Sequence, residues 1–287
     1  TFDVPGAKYM PQYRNRHWDG KIRLFSTATG ELYVGLLDKV IAWARKSDYS
    51  VEFRNSETYG TPHEENEEIS LEGVKDYMTA ISSFKPRDYQ IDGVYDALKY
   101  NRRLIISPTG SGKSLMIYAV ARYHVGRKRR ILLVVPTTSL VEQMYKDFTD
   151  YGWDVEKYCH KVYAGKNKNT QQRVTISTWQ SIYTMDKTFF SQFDVIIGDE
   201  AHQFKSKSLI NIMSKMRDTK YRYGFTGTLS GSQTHKWVLE GLFGPSYKVT
   251  QTSELQEKGQ LAKLNIRIIL LQHPAIPFDD YREEMNY

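Results

Sequence analysis

The stretch Ser107-Pro-Thr-Gly-Ser-Gly-Lys-Ser114 has the residue types and spacing of a phosphate-binding turn. Gly110 and Gly112 let the backbone turn tightly and approach a ligand closely. Successive N–H groups of such a turn form an anion nest at the positive end of the helix that follows. Lys113 can reach the β- and γ-phosphates of a nucleotide, and the Ser114 hydroxyl can bind Mg²⁺. The residues predicted to bind the nucleotide here are Thr109, Gly110, Ser111, Gly112, Lys113 and Ser114.

A pair of carboxylates, Asp199 and Glu200, follows the apolar run Asp194-Val-Ile-Ile-Gly198, and His202 comes soon after. At the carboxyl end of a strand, Asp199 would face the phosphate-binding turn across the crevice in which open parallel sheets bind ligands. It would hold Mg²⁺ mostly through water, while Glu200 would orient and deprotonate an attacking water molecule. We therefore predict Lys113, Asp199, Glu200 and His202 as the catalytic group.

Apolar strands alternate with helices from residue 103 to about residue 250, which predicts an α/β fold with a parallel, right-handed, doubly wound sheet. The unbroken apolar run Ile131–Val135 is typical of a parallel strand that is covered on both faces. The predicted strands are 103–107, 131–135, 173–178, the run before Asp199, 221–226 and 263–271. The predicted helices are 36–44, 70–81, 91–99, 115–121, one ending near 150, and a short one opening at 178–181.

Phe84, Arg87 and Gln90 lie within seven residues, just ahead of a predicted helix and upstream of the phosphate-binding turn. A glutamine amide offers one acceptor and a pair of donor hydrogens, which suits the edge of an adenine base. The alternative is a helix N-terminus with incidental polar residues.

The N-terminal segment predicts a small α+β module over residues 1–82, with an acidic linker at 55–69. Polar and apolar residues alternate in Lys21–Phe25, and the chain returns through Leu32–Leu36 after a turn at Thr29-Gly30, which indicates a hairpin. Residues 49–53 are predicted to form a further strand. Basic and aromatic side chains together suit phosphate contacts and stacking, although a solvated hairpin anchored by Trp18 remains an alternative. The residues predicted to touch nucleic acid here are Arg14, Arg16, Trp18, Lys21 and Arg23.

Charge is distributed unevenly along the 287 residues, whose net charge is +7. Residues 1–85 have 11 Lys/Arg against 13 Asp/Glu, a net of −2, and residues 86–287 have 29 against 20, a net of +9. A basic main domain favours a polyanionic partner. The one cysteine, Cys159, is expected to be a packing residue and fits a reducing cytoplasm. No apolar run approaches the roughly 20 residues of a membrane span, so no membrane partner is expected.

The motifs, taken in order, resemble those of superfamily 2 helicases and translocases. The matching segments are Phe84, Arg87 and Gln90, the adenine-reading motif; 107–114, motif I; Pro136–Leu140, motif Ia; Thr178–Ser181, the TxxQS segment; Asp199–His202, motif II in its DEAH form; and Thr226–Thr228, motif III. Gly165 and Lys166 are similar to a glycine loop that touches the nucleic-acid backbone. Arg14–Leu24, followed by Gly35-Leu-Leu, resembles the small N-terminal domain of phage UvsW-type recombination helicases, which act on branched DNA.

The resemblance implies ATP as substrate and Mg²⁺ as cofactor, with the metal on Ser114 and Asp199. It implies that His202, Thr226 and Thr228 couple the phosphate state to the grip on DNA. It implies DNA-backbone contacts from Thr137, Lys166, Thr178 and Gln180. The family's domains would be a first RecA-like domain at 83–272 and a tail, or the start of a second RecA-like domain, at 273–287.

Two departures from the family pattern stand out. Ser107 occupies a position where the family usually has Ala or Gly, a change that we expect to be tolerated. Nothing in the sequence resembles the QxxGRxxR motif that carries the arginine finger. We therefore expect an N-terminal fragment that binds ATP weakly and hydrolyses it poorly without the missing second domain. A DEAH-type RNA helicase and a non-catalytic nucleic-acid-binding module remain alternatives, whereas a restriction-enzyme motor subunit would need nuclease or specificity domains, of which the sequence shows no sign.

Overall fold

The computed structural model describes residues 2–4, 6–52, 65–163, 171–203, 206–227, 229, 233–262 and 267–268. The strands are β1 (Phe2–Asp3), β2 (Lys21–Ile22), β3 (Arg102–Ile106), β4 (Ile131–Val135), β5 (Cys159–Val162), β6 (Val174–Thr178), β7 (Val195–Gly198), β8 (Tyr221–Thr226) and β9 (Ser246–Lys248). The α-helices are α1 (Pro11–Arg14), α2 (Leu37–Lys46), α3 (Leu71–Ile81), α4 (Asp88–Lys99), α5 (Lys113–Gly126), α6 (Thr138–Asp150), α7 (Val155–Tyr158), α8 (Trp179–Ile182), α9 (Lys187–Ser191), α10 (Ser206–Lys215), α11 (Gln233–Phe243) and α12 (Thr252–Glu257).

Seven of the strands form one parallel sheet in the order β5-β6-β4-β7-β8-β3-β9. The chain enters this sheet at β3 and continues at β4, three positions away, and β7 and β8 later fill the gap. The carboxyl ends of β3, β8 and β7 are therefore adjacent. Ligands of such sheets bind outside the carboxyl ends of the strands, where the strand order reverses. The predicted α/β fold with a doubly wound parallel sheet is confirmed.

Both faces of the sheet are buried, which explains the unbroken apolar runs in the sequence. On β4, Ile131, Leu133 and Val135 face the core shared with α4, α5 and α6, while Leu132 and Val134 face the core shared with α10 and α11. Cys159 is buried, and this burial raises the pKa of its thiol. Its side chain is thus a packing element, as predicted.

Helix α3 belongs by packing to the sheet domain. Ser70 caps it, because the Ser70 hydroxyl accepts the N–H of Gly73 at 3.1 Å. Its buried side chains, Val74 and Met78, lie in the same core as α4 and α5. The predicted N-terminal module, residues 1–82, includes this helix, whereas its apolar stripe is covered by the sheet domain.

The N-terminal module contains less β-structure than its sequence predicts. Strand β2 pairs with β1, and the predicted hairpin is reduced to a single antiparallel bridge between Phe25 and Leu32 about a turn at Gly30. Residues Val34–Leu36 form a 3₁₀ turn, and residues 49–52 are not in a strand. The predicted hairpin was too long. Its second segment, Leu32–Leu36, packs against α11 instead of pairing with the first segment.

The contact with α11 is close because two glycines meet there. A Cβ atom added to Gly35 would lie 2.1 Å from the carbonyl oxygen of Glu240. A Cβ atom added to Gly241 would lie 2.8 Å from Cβ of Tyr33. Lys39 Nζ lies 3.1 Å from the buried Glu240 carboxylate. The backbone of the module therefore rests directly on α11 of the sheet domain.

We expect Gly35→Ala to destabilise the docked N-terminal module by about 1–3 kcal/mol, the usual cost of overpacking a tight contact. The neighbouring atoms belong to helix backbone and cannot move aside. Urea denaturation and the rate of proteolysis within residues 1–52 measure the effect. Gly126→Ala is the matched control, since nothing lies within 4 Å of a Cβ atom there. Equal stability of the two variants would contradict the proposed close contact.

Several elements were not predicted, among them β5, α10, α11 and α12. Helix α10 had a usable signal, because Leu209, Ile212, Met213 and Met216 recur at helical spacing and are buried on one side. Of the predicted strand 263–271, Arg267 and Ile268 are described and are not in a strand. No helix in the described part of the chain is long and apolar enough to cross a membrane.

Candidate functional site

The phosphate-binding turn connects the end of β3 to the start of α5. Gly110 and Gly112 have φ angles of 81° and 79°, in the left-handed region that favours glycine. Ser107 is fully buried, and its hydroxyl lies 2.6 Å from the hydroxyl of Ser111, which also contacts the carbonyl of Pro108 at 2.6 Å. The two hydroxyls tie the ends of the turn together, so a serine at the first position fits this backbone.

A chain of polar contacts joins this turn to the ends of β7 and β8. Lys113 Nζ lies 3.0 Å from Glu200 Oε1. His202 Nδ1 lies 3.4 Å from Glu200 Oε2 and 2.7 Å from Thr226 Oγ1. Thr226 is buried between the two halves of the site because β8 lies between β3 and β7. The structure thus brings together four of the side chains that the sequence predicted from distant motifs.

The two carboxylates of motif II differ in their surroundings. Glu200 has a φ of 47°, a conformation that costs a non-glycine residue about 1–2 kcal/mol. Its N–H donates to Asp199 Oδ1 at 2.9 Å. Asp199 is buried, and this burial, followed by the nearby charge of Glu200, raises its pKa to about 6. A cation bound beside Asp199 would favour its ionised form and so lower this pKa.

The donor atoms fit a magnesium ion. Within the described residues no group of three or more His, Cys, Asp or Glu side chains could hold a metal ion. The predicted protein ligands are one carboxylate, from Asp199, and the Ser114 hydroxyl. Mg²⁺ is commonly bound in this way, by one or two protein oxygens with phosphate and water completing the octahedron. The Ser114 hydroxyl lies 2.7 Å from the hydroxyl of Tyr151, which follows the last residue of α6. It therefore faces α6.

Gln90, one of the three predicted adenine-reading residues, contacts the phosphate-binding turn directly. Gln90 Oε1 accepts the N–H of Arg87 at 2.9 Å, which caps α4, and its Nε2 donates to the carbonyl of Ser111 at 2.8 Å. The Tyr89 hydroxyl donates to the same carbonyl at 3.0 Å. Gln90 keeps one amide hydrogen for a base. Phe84 is 54% exposed and offers a free ring face nearby. Gln90 thus caps the N-terminus of α4, as in the alternative interpretation of these residues, and it also contacts the phosphate-binding turn.

Three predicted nucleic-acid residues meet at the carboxyl ends of the neighbouring strands β4 and β6. Thr137 caps α6, because its hydroxyl accepts the N–H of Leu140 at 3.3 Å. Gln180 Nε2 donates to the carbonyl of Pro136 at 3.2 Å. Thr178 is only 4% exposed, and its hydroxyl lies 2.8 Å from that of Ser181. Thr137 and Gln180 are the exposed members of this group.

The basic N-terminal residues surround an open groove of about 660 Å³. The Trp18 ring is held in place because its Nε1 donates to the carbonyl of Lys21 at 2.8 Å. Arg23 forms an ion pair with Asp19, and Lys21 lies 3.9 Å from Asp3, so these two cations are partly neutralised. The groove is lined by Lys8, Tyr13, Arg14, Arg16, His17, Trp18 and Asp19. Lys21 and Arg23 lie beside it on β2 and the residue that follows.

Two predicted site residues, Lys166 and Thr228, lie outside the described residues, and their roles stay predictions. Sequence reasoning missed Tyr89, Tyr151 and Leu261. A Cβ atom added to Gly110 would lie 2.5 Å from Leu261 Cδ2, so this leucine covers the turn from a position about 150 residues further along the chain. No local pattern could have revealed a contact of that range.

The sheet order, the glycine turn before α5 and the carboxylates after β7 together define a RecA-like, phosphate-binding α/β domain. Residues 83–231, just over half of the chain, match the family model described as "Type III restriction enzyme, res subunit", and the chain belongs to this family. Residues 1–54 match the model described as "DNA helicase UvsW, N-terminal".

Individual relatives agree with these matches. "ATP-dependent DNA helicase uvsW" of Enterobacteria phage T4 is 30% identical over 286 residues, covering 96% of this chain and 55% of that protein. "DNA 3'-5' translocase XPB2" of Sulfurisphaera tokodaii is 29% identical over 203 residues, covering 70% and 44%. The crystal structure of the UvsW helicase from Bacteriophage T4 matches with a TM-score of 0.73 and 28% identity, covering 86% of this chain and 89% of that one. The resemblance to UvsW-type superfamily 2 helicases is confirmed. The chain spans about half the length of the curated relatives it matches.

Proposed function

We propose that this chain is the ATP-binding and DNA-contacting part of an ATP-dependent DNA helicase or translocase. The observation that carries the proposal is the contact between Lys113 of the phosphate-binding turn and Glu200, extended through His202 to Thr226. The ends of β3, β8 and β7 are adjacent, and in this proposal Lys113 binds phosphate, Thr226 couples and Glu200 acts as the base. Action on branched DNA in recombination and repair, by branch migration or fork regression, is proposed from the likeness to UvsW.

In the proposed reaction, water attacks the γ-phosphorus of ATP and the bond to the bridging β,γ-oxygen breaks, which gives ADP and phosphate. Lys113 and the N–H groups of residues 109–114 bind the phosphates. Glu200 orients the attacking water and accepts its proton. Mg²⁺, held by Ser114 and Asp199, would neutralise charge on the phosphates. Gln90 and Phe84 position the base.

The coupling between chemistry and grip runs through His202 and Thr226 in this proposal. Their 2.7 Å contact links motif II to motif III. A change in charge at Glu200 alters the electrostatic environment of the His202 ring, which lies 3.4 Å away. Thr228 would continue the link. Through these contacts, a change at Glu200 during hydrolysis would be transmitted to Thr226 at the end of β8.

Two surfaces support DNA as the polyanionic partner. Thr137 and Gln180 are exposed at the ends of β4 and β6, and the N-terminal groove brings arginines beside Trp18. The net charge of +9 on residues 86–287 adds long-range attraction for phosphate. The match of residues 1–54 to a DNA helicase family favours DNA over RNA.

We further propose that the protein acts in the cytoplasm. Rapid ATP turnover would need an arginine finger supplied by a second RecA-like domain. Such fingers contribute about 10³–10⁵ in rate.

The test measures single-turnover ATP hydrolysis by the chain alone, with four-way-junction DNA, with linear duplex DNA and with structured RNA, at several salt concentrations. We expect the fastest hydrolysis with the junction, and binding that weakens with salt. Stimulation by RNA alone would contradict the DNA assignment. Salt-dependent binding that ATP does not change, with no hydrolysis, would identify a non-catalytic DNA-structure binder.

A further inference from the structure

Helix α6 holds the hydroxyl that the proposed metal site requires. Ser114 Oγ lies 2.7 Å from the hydroxyl of Tyr151, the residue that follows the last turn of α6. Either hydroxyl can donate in this contact. When Tyr151 donates, its proton occupies a lone pair of the oxygen that would ligate Mg²⁺.

The same tyrosine also contacts the side of the site that would hold the base. Its ring meets the ring of Phe84 edge-on, with centroids 5.7 Å apart. Its carbonyl accepts the N–H of Ser83 at 3.3 Å, and the Ser83 hydroxyl donates to the carbonyl of Asp150 at 2.8 Å. The carboxyl end of α6 is thus fastened to the segment that presents Phe84.

The other end of α6 carries the predicted nucleic-acid contacts. Thr137 caps its first turn, and Gln180 is bonded to the preceding carbonyl of Pro136. Helix α6 has 13 residues and is about 20 Å long at 1.5 Å per residue. A single rigid element therefore reaches from the nucleotide site to the proposed DNA surface.

We propose that the Tyr151 hydroxyl donates to Ser114, and that Tyr151 is a positioning residue that couples metal and nucleotide occupancy at Ser114 to the placement of α6, and through it to the grip on DNA. The proposal rests on the proposed function. A serine oxygen that gives a lone pair to Mg²⁺ becomes a poorer acceptor, so metal binding releases the tyrosine. Stacking of a base on Phe84 acts on the same ring. Both events change the contacts at the carboxyl end of α6.

The test is Tyr151→Phe, which removes one oxygen and keeps the ring contacts. Tyr145→Phe is the matched control, because Tyr145 lies on the same helix and its hydroxyl donates to Glu156 at 2.8 Å. A non-hydrolysable ATP analogue is bound at increasing Mg²⁺ concentration. We expect the Mg²⁺ midpoint of Tyr151→Phe to fall by about three- to tenfold, the effect of removing one competing hydrogen bond. Thermal unfolding confirms that the variants are folded.

The second measurement is the affinity for a fluorescent four-way junction with and without the analogue and Mg²⁺. In the unchanged chain and in Tyr145→Phe we expect the two affinities to differ at least about fivefold. In Tyr151→Phe the ratio should lie within about twofold of one. A Tyr151→Phe variant that matches Tyr145→Phe in Mg²⁺ midpoint and in this ratio would overturn the inference. An unchanged chain that binds no Mg²⁺-nucleotide at all would overturn the proposed function itself.

Discussion

Replacing Lys113 by alanine, or Glu200 by glutamine, is expected to lower DNA-stimulated ATP hydrolysis by at least about a hundredfold. For Glu200 this is the usual contribution of a positioned base, and for Lys113 that of a group that stabilises charge in the transition state. The two variants should differ in nucleotide binding. Lys113→Ala removes the cation proposed to hold the phosphates and should weaken nucleotide affinity. Glu200→Gln keeps the shape of the side chain and a hydrogen-bonding group, so nucleotide should still bind while the water loses its base.

Both variants should bind junction DNA nearly as well as the unchanged chain, because neither residue lies on the proposed DNA surfaces. Hydrolysis, nucleotide binding and DNA binding are measured on the same preparations. Lys187→Ala is a suitable control, since this lysine is exposed and lies 3.7 Å from an exposed aspartate, Asp218. Hydrolysis at the unchanged rate in either active-site variant would remove the assignment of the site.

Gly112→Ala is expected to cost at least about tenfold in nucleotide affinity. The new methyl group would lie 2.3 Å from Gln90 Nε2, which would have to leave the carbonyl of Ser111. The φ of 79° adds about 1–2 kcal/mol of backbone strain for a residue with a Cβ atom. One substitution thus disturbs both the phosphate-binding turn and the residue predicted to read adenine.

Gly259→Ala is the control that separates backbone strain from the steric contact with Gln90. Gly259 has a comparable φ of 65°, but nothing lies within 4 Å of a Cβ atom there. Calorimetric titration with ATP analogue and thermal unfolding of both variants supply the comparison. We expect Gly259→Ala to lower stability slightly and to leave affinity unchanged. A loss of affinity that is equal in both variants would show that the contact with Gln90 has no role.

The central sheet could be predicted because its signals are local. The apolar run Ile131–Val135 predicts a strand that is buried on both faces. The glycines of residues 107–114 predict the turn before α5. The position of Asp199 opposite this turn followed from the general rule for parallel sheets. These features depend on short segments whose conformation is nearly independent of the rest of the chain.

The features that were predicted wrongly or missed depend on contacts with residues far away in the chain. Leu32–Leu36 alternates like a strand, yet Gly35 lies against the backbone of α11, about 200 residues away, and the segment bends to reach it. Tyr151 follows an ordinary amphipathic helix and gives no sign in sequence that it meets Ser114. The predicted site residues therefore came from motifs, while the groups that position them came from the fold.

The contact between Lys113 and Glu200 has a consequence for the timing of the proposed cycle. In the proposed cycle this ion pair holds the base 3.0 Å from the cation that would bind the phosphates. Binding of a triphosphate would draw Lys113 toward the added negative charge and free Glu200 when the substrate is in place. After cleavage Lys113 would return to Glu200, which would weaken its hold on the departing phosphate. The same pair of side chains would then link activation of the base to the presence of substrate and aid release of the product.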